Sequence, residues 1–266
     1  MNETNVGLGI QDLRLGAKDG LRAASELGFR AVEISAVDPE LDPARLSTSG
    51  RRHLLRYTDG LGLRMDAIAA DLPGLTLTDP QTVDERVERT RRIIEMAAEV
   101  HVGVVTATAG ALTHPETGEP SPAAIEALMQ LGASADACGV IYALRPTYDD
   151  APRVDRVLQA VGCPAVRLGI DPAAMVMSGA NPMAMIQRLP EQIALTYARD
   201  ATAGVPGRSG AETRWGEGEV DFVGLLAMLS AIDFGGPCIV RRMDSANPAI
   251  DLRDALRGLQ RLMPAP

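Results

Sequence analysis

Eight short apolar runs, each followed by a stretch of helical periodicity, limit this chain's fold more than any other feature. The runs are VGLGI (6–10), AVEIS (31–35), LRMDAIAA (63–70), VGVVTATA (102–109), VIYALR (140–145), VRLGID (166–171), IALTYARD (193–200) and CIVRRM (238–243). Between them, GAKDGLRAASELG (16–28), VDERVERTRRIIEMAAEV (83–100), PAAIEALMQLGASADA (122–137) and DFVGLLAMLSAI (221–232) repeat apolar residues at helical spacing, and AIDLRDALRGLQRLM (249–263) follows the last run. Strict alternation of strand and helix implies parallel strands joined by right-handed crossovers. Eight such units in 266 residues fit a closed barrel better than an open sheet. The stretch GLGIQDLRLG does not supply the glycine turn of a dinucleotide fold, because a strand separates its glycines from the next helix. The expected class is therefore α/β: a single (β/α)8 barrel domain over residues 1–266, with eight parallel strands and outer helices.

Charge and composition exclude several functions. A formal net charge of −9 with no basic stripe argues against a nucleic-acid partner. No run approaches the roughly 18 apolar residues of a membrane span, and MNETNVGLGI has no basic segment ahead of an apolar one. Cys138, Cys163 and Cys238 are widely spaced and odd in number, as expected of free thiols in a reducing compartment. The expectation is a cytoplasmic protein with no membrane or nucleic-acid partner.

Barrels do chemistry at the C-terminal ends of their strands, and side chains two residues apart share a face. In AVEIS, Val32 and Ile34 face the helices, which sends Glu33 into the lumen. The same alternation turns Arg145 inward from Leu144, Asp171 inward from Ile170 and Arg241 inward from Val240. Tyr197 and Arg199 share a face on their own run. The mouth is thus expected to collect Glu33, Arg145, Asp171, Tyr197, Arg199 and Arg241, three positive groups against two negative ones.

At this point the sequence resembles the xylose isomerase-like barrels, a superfamily that includes sugar phosphate isomerase/epimerases. The resemblance runs through AASELGFRAVEIS (23–35), VRLGIDPAAMVMSGANP (166–182), YARDA (197–201), RWGEGEVDFVGLL (214–226) and GGPCIVRRMDSANP (235–248). It implies a divalent metal such as manganese, magnesium or zinc, held by a Glu, an Asp, a His and a Glu on strands five to eight. Carried onto this chain, those four positions are Arg145, Asp171, Tyr197 and Arg241, and a further family His falls on Ala174. A guanidinium has no lone pair to donate and carries a fixed positive charge, so it repels a metal ion rather than ligating it. The expected site holds no metal, and no cofactor is expected.

Two readings of the mouth stay open. In the first, the arginines grip a small anionic carbohydrate, a sugar acid or sugar phosphate, in bidentate fashion. Arg145, Tyr197, Arg199, Arg241 and the single tryptophan Trp215 then contact substrate, and Glu33 or Asp171 transfers the proton of an isomerisation or epimerisation. In the second, Arg145 and Arg241 reach across to Asp171 in a salt-bridged network, and the protein is a non-catalytic binding, sensing or assembly relative. A homodimer is in keeping with such families. His53, His101 and His114 match no metal or triad position, although His114 lies in a loop that could overhang the mouth. Arg208 and Arg214, in the glycine-rich stretch 201–219, are candidate phosphate contacts.

Overall fold

The computed structural model describes residues 5–205 and 208–263. Eight parallel strands close into a barrel, as the alternation predicts. In chain order they are β1 (Val6–Gly9), β2 (Ala31–Ser35), β3 (Arg64–Ala69), β4 (Val104–Gly110), β5 (Ile141–Pro146), β6 (Val166–Ile170), β7 (Ile193–Ala198) and β10 (Cys238–Val240). β10 pairs with both β1 and β7, and that pairing closes the ring. Beyond β7 the chain adds an antiparallel pair, β8 (Asp200–Thr202) and β9 (Ala211–Thr213), so that Asp200, expected to end the seventh run, instead opens a hairpin over part of the glycine-rich stretch 201–219.

The helices lie around the barrel: α1 (Ala17–Glu26), α2 (Thr48–Gly60), α3 (Val83–Glu99), α4 (Pro122–Cys138), α5 (Ala151–Val161), α6 (Pro172–Ser178), α7 (Pro182–Arg188), α8 (Phe222–Ala231) and α9 (Pro248–Leu262). Their starts follow from local chemistry. Ser121, Asp150, Asp171 and Asn181 each accept a hydrogen bond from a first-turn backbone N–H, and a proline follows each of them at the start of the helix. Gly139, Gly162 and Gly179 end three of the helices in the left-handed conformation, which costs a glycine nothing.

Strand alternation sorts side chains into two cores. One, built from residues such as Leu8, Ile34, Ile68, Leu128 and Leu168, fills the layer between strands and helices. Full burial of each such side chain stabilises by about 1.5–3 kcal/mol before conformational entropy is subtracted. The other is a small lumenal layer of Ala67, Leu195, Tyr197 and Ile239. The polar mouth sits directly on this floor. No helix among the described residues is long and apolar enough to cross a membrane.

Candidate functional site at the barrel mouth

The mouth is built around Tyr197, which is fully buried and lies between two cations. The Arg145 guanidinium sits 5.2 Å from its ring centroid and that of Arg241 5.8 Å. The Tyr197 hydroxyl donates to Glu33 Oε1 at 2.6 Å, and Thr106 Oγ1 donates to the same oxygen at 2.9 Å. Glu33 Oε2 accepts from Arg241 Nη1 at 2.9 Å and from Gln11 Nε2 at 3.2 Å. Glu33, itself without solvent exposure, thus has both oxygens engaged by protein.

Each arginine at the mouth is held by carboxylates. Arg241 grips Asp12 through two parallel hydrogen bonds, Nε to Oδ2 at 2.7 Å and Nη2 to Oδ1 at 2.9 Å. Gly9 makes room for it, since a Cβ there would lie 2.3 Å from Arg241 Cδ. Arg145 pairs with Asp71 and donates to Thr108 Oγ1 at 3.0 Å. Arg199 bridges Asp171 Oδ2 at 3.1 Å and Glu212 Oε1 at 2.6 Å. Glu212 also takes Arg242 Nη1 at 2.6 Å, and Arg242 reaches on to Asp251 at 3.3 Å.

The expected reach of Arg145 and Arg241 to Asp171 is therefore corrected. Strand order explains the change. β10 neighbours β1, so Arg241 meets Asp12 just past the end of β1. Arg145 lies opposite Thr108 on β4 and reaches Asp71 just past β3. Asp171 is left to cap α6, accepting from the Ala174 N–H at 3.0 Å, and to pair with Arg199. The expected charge balance changes with it. Arg145, Arg199 and Arg241 face five carboxylates, Asp12, Glu33, Asp71, Asp171 and Glu212, so no positive charge is left over.

The proton positions follow from these contacts. Burial raises the Tyr197 phenol well above its ordinary value, and the adjacent Glu33 adds to the rise despite the opposing arginines, so Tyr197 keeps its proton. Burial would raise the Asp71 carboxyl, but the charge and hydrogen bond of Arg145 override it and hold it at about 2. Glu212 is likewise pulled below the ordinary carboxylate range: Arg199 outweighs the effect of burial.

Glu33, Arg145, Asp171, Tyr197, Arg199 and Arg241 thus come together at the mouth. Trp215 does not join them. It stacks on Phe222 at 3.7 Å between centroids and packs over Gly258 of α9. Arg214 pairs with Asp251 at 3.2 Å. His114 is exposed, and its Nδ1 accepts from the N–H groups of Glu116 and Thr117 at 3.3 Å, shaping its own turn. Asp12, Asp71 and Glu212 were missed by the sequence reading. Asp71 was within reach of it, because extending LRMDAIAA by one residue keeps the alternation and turns Asp71 to the lumen. Asp12, on a 3-10 turn after β1, and Glu212, on β9, carry no such signal.

The donor set does not suit a divalent ion. Two of the four positions that ligate metal in the resemblance are guanidinium groups already bound to carboxylates, and a third is a protonated phenol. Among the described residues, no group of three or more His, Cys, Asp or Glu side chains is arranged to hold a metal ion.

Comparison with known proteins places this architecture. The xylose isomerase-like TIM barrel family model matches residues 21–262. The chain belongs to that family. Among solved structures, a xylose isomerase domain protein from Planctomyces limnophilus superposes with a TM-score of 0.81 at 20% identity, covering 91% of each chain. The D-psicose 3-epimerase from Clostridium cellulolyticum H10, solved with D-tagatose, gives a TM-score of 0.74 at 14% identity over 97% of this chain and 99% of its own. A xylose isomerase-like TIM barrel protein from Mycobacterium smegmatis in complex with magnesium gives 0.70 at 18% identity, over 92% and 88%. At these identities the likeness is one of fold. A search of the curated proteins returned no match.

Proposed function

We propose that this chain is a non-catalytic member of the xylose isomerase-like barrels, a binding or sensing protein in which a closed ion network fills the place where relatives work on sugars. One observation carries the reading. Glu33, the best-placed base, is wholly buried with both oxygens bonded, and the cations around it are paired. A general base must come within about 2.6–3.2 Å of the proton it removes. Glu33 has no solvent exposure, and the donors around its oxygens are Gln11, Thr106, Tyr197 and Arg241 of the protein itself.

The alternative, an anionic sugar held by the mouth arginines, draws on one feature, the buried Arg145 Nε, which has no protein acceptor. The remaining charge of that group is matched by Asp71.

The test is metal content after purification without chelator, followed by titration with manganese and zinc and then with gluconate and glucose 6-phosphate. No stoichiometric metal, no heat on titration and an unchanged melting temperature are expected. Stoichiometric metal, or a melting temperature raised by either cation, would restore metal-dependent isomerisation. A rise with gluconate or the sugar phosphate that is lost in Arg145→Met would favour the anionic-sugar reading instead.

A further inference from the structure

A second polar feature lies beside the mouth and has the opposite character. Between the segment after β3 and the end of β4 runs a cleft of about 310 Å³. Its walls are mainly apolar, with Leu72, Leu75, Leu77 and Ala109 among them. That volume lies at the lower end of the range for small-molecule pockets, and walls of this kind suit an apolar ligand body.

One residue lining this cleft is Arg86, on the first turn of α3 and only 3% exposed. It makes two long hydrogen bonds, from Nη1 to the backbone oxygens of Leu72 at 3.4 Å and Leu75 at 3.3 Å. Its Nε and Nη2 find no acceptor, and no carboxylate among the described residues forms an ion pair with it. The buried hydroxyl of Tyr142 lies beside the Arg86 guanidinium, a neutral neighbour that brings no counter-charge. A buried, unpaired cation is costly, and side chains of this type are almost never fully buried without a partner.

The carboxylate at the lip does not cancel this charge. Asp71 already accepts from the Thr108 N–H at 2.8 Å and the Thr108 hydroxyl at 3.0 Å, and it pairs with Arg145. The cleft therefore presents one unmatched cation, an apolar wall and a lip whose charge is already balanced.

We propose that this cleft binds a small carboxylic acid with an apolar body, its carboxylate paired with Arg86 and its body laid against Leu72, Leu75 and Leu77. This goes beyond the reading of the mouth and does not depend on it. Glu33, Tyr197 and Arg241 take no part.

Calorimetry with benzoate and 3-methylbutanoate as probes, and benzamide as the uncharged counterpart of benzoate, tests it. Saturable binding of at least one acid is expected, with benzamide at least tenfold weaker. Arg86→Gln keeps a donor for the Leu72 and Leu75 carbonyls but removes the charge, and should weaken binding at least tenfold. Leu75→Trp fills the cleft, leaves Arg86 in place and should abolish binding, which keeps the test intact even if Arg86→Gln does not fold. The proposal is overturned if neither acid binds, if benzamide binds as well as benzoate, or if Leu75→Trp leaves binding unchanged.

Discussion

The centre of the mouth and the cleft at its side each hold a buried arginine, and Asp71 belongs to both. They differ in how completely their polar groups are matched. At the centre, Arg241 has Asp12 and Glu33, and Glu33 has four donors. At the side, Arg86 has two long bonds to backbone oxygens and no carboxylate partner among the described residues. A buried network matched save for Arg145 Nε and Gln11 Oε1 leaves little over for a ligand, whereas a cation without a counter-charge asks for a group from outside. Charged residues at a barrel mouth therefore do not indicate function until their partners are counted.

The comparison breaks if the two regions respond alike to truncation. Arg241→Met strands the buried carboxylates of Asp12 and Glu33, and loss of one partner from a buried pair costs about 3–5 kcal/mol. Arg86→Gln strands no carboxylate and should cost about 1 kcal/mol or less. Urea denaturation of both variants measures the difference, and equal losses would put the two arginines in one class.

A smaller effect sharpens the picture of the centre. Tyr197→Phe keeps the ring between the two guanidinium groups and removes one donor to Glu33, so a loss of about 1–3 kcal/mol is expected from the under-bonded carboxylate. If Tyr197→Phe proved as stable as the parent protein, the hydroxyl would have no part in holding Glu33.

The smallest effect is in pH. The Asp71 carboxyl is depressed from 3.8 to about 2 in the folded state, so its contribution is fully present above pH 4. It is lost as pH falls through about 2. The Asp71 side chain is 38% exposed, and screening by solvent leaves a contribution on the order of 1 kcal/mol. Asp71→Asn should flatten the decline in stability between pH 4 and pH 2 relative to the parent protein, as followed by acid titration of the melting temperature. Parallel profiles would show that the Arg145 pair is energetically idle.

What was legible in the sequence was periodic. The recurrence of apolar runs gave eight strands and a closed barrel, and alternation along AVEIS, VIYALR and CIVRRM turned Glu33, Arg145 and Arg241 inward. Such signals survive because the spacing of side chains on a strand is a property of the strand alone. Pairing is a property of two elements. That Arg241 meets Asp12 rather than Asp171 follows from β10 closing onto β1, a contact across 229 residues. Glu212 reaches Arg199 because β8 and β9 fold into a hairpin, and Trp215 leaves the mouth to stack on Phe222. Arg86 is one polar position within the helical stretch 83–100, and the segment from Leu72 to Leu77, whose backbone oxygens accept from it, makes it a buried cation in a cleft wall. The sequence determined which side chains face the lumen, through local geometry. The tertiary structure alone decided which charges are matched and which are not, because that depends on which strand ends and loops are brought together.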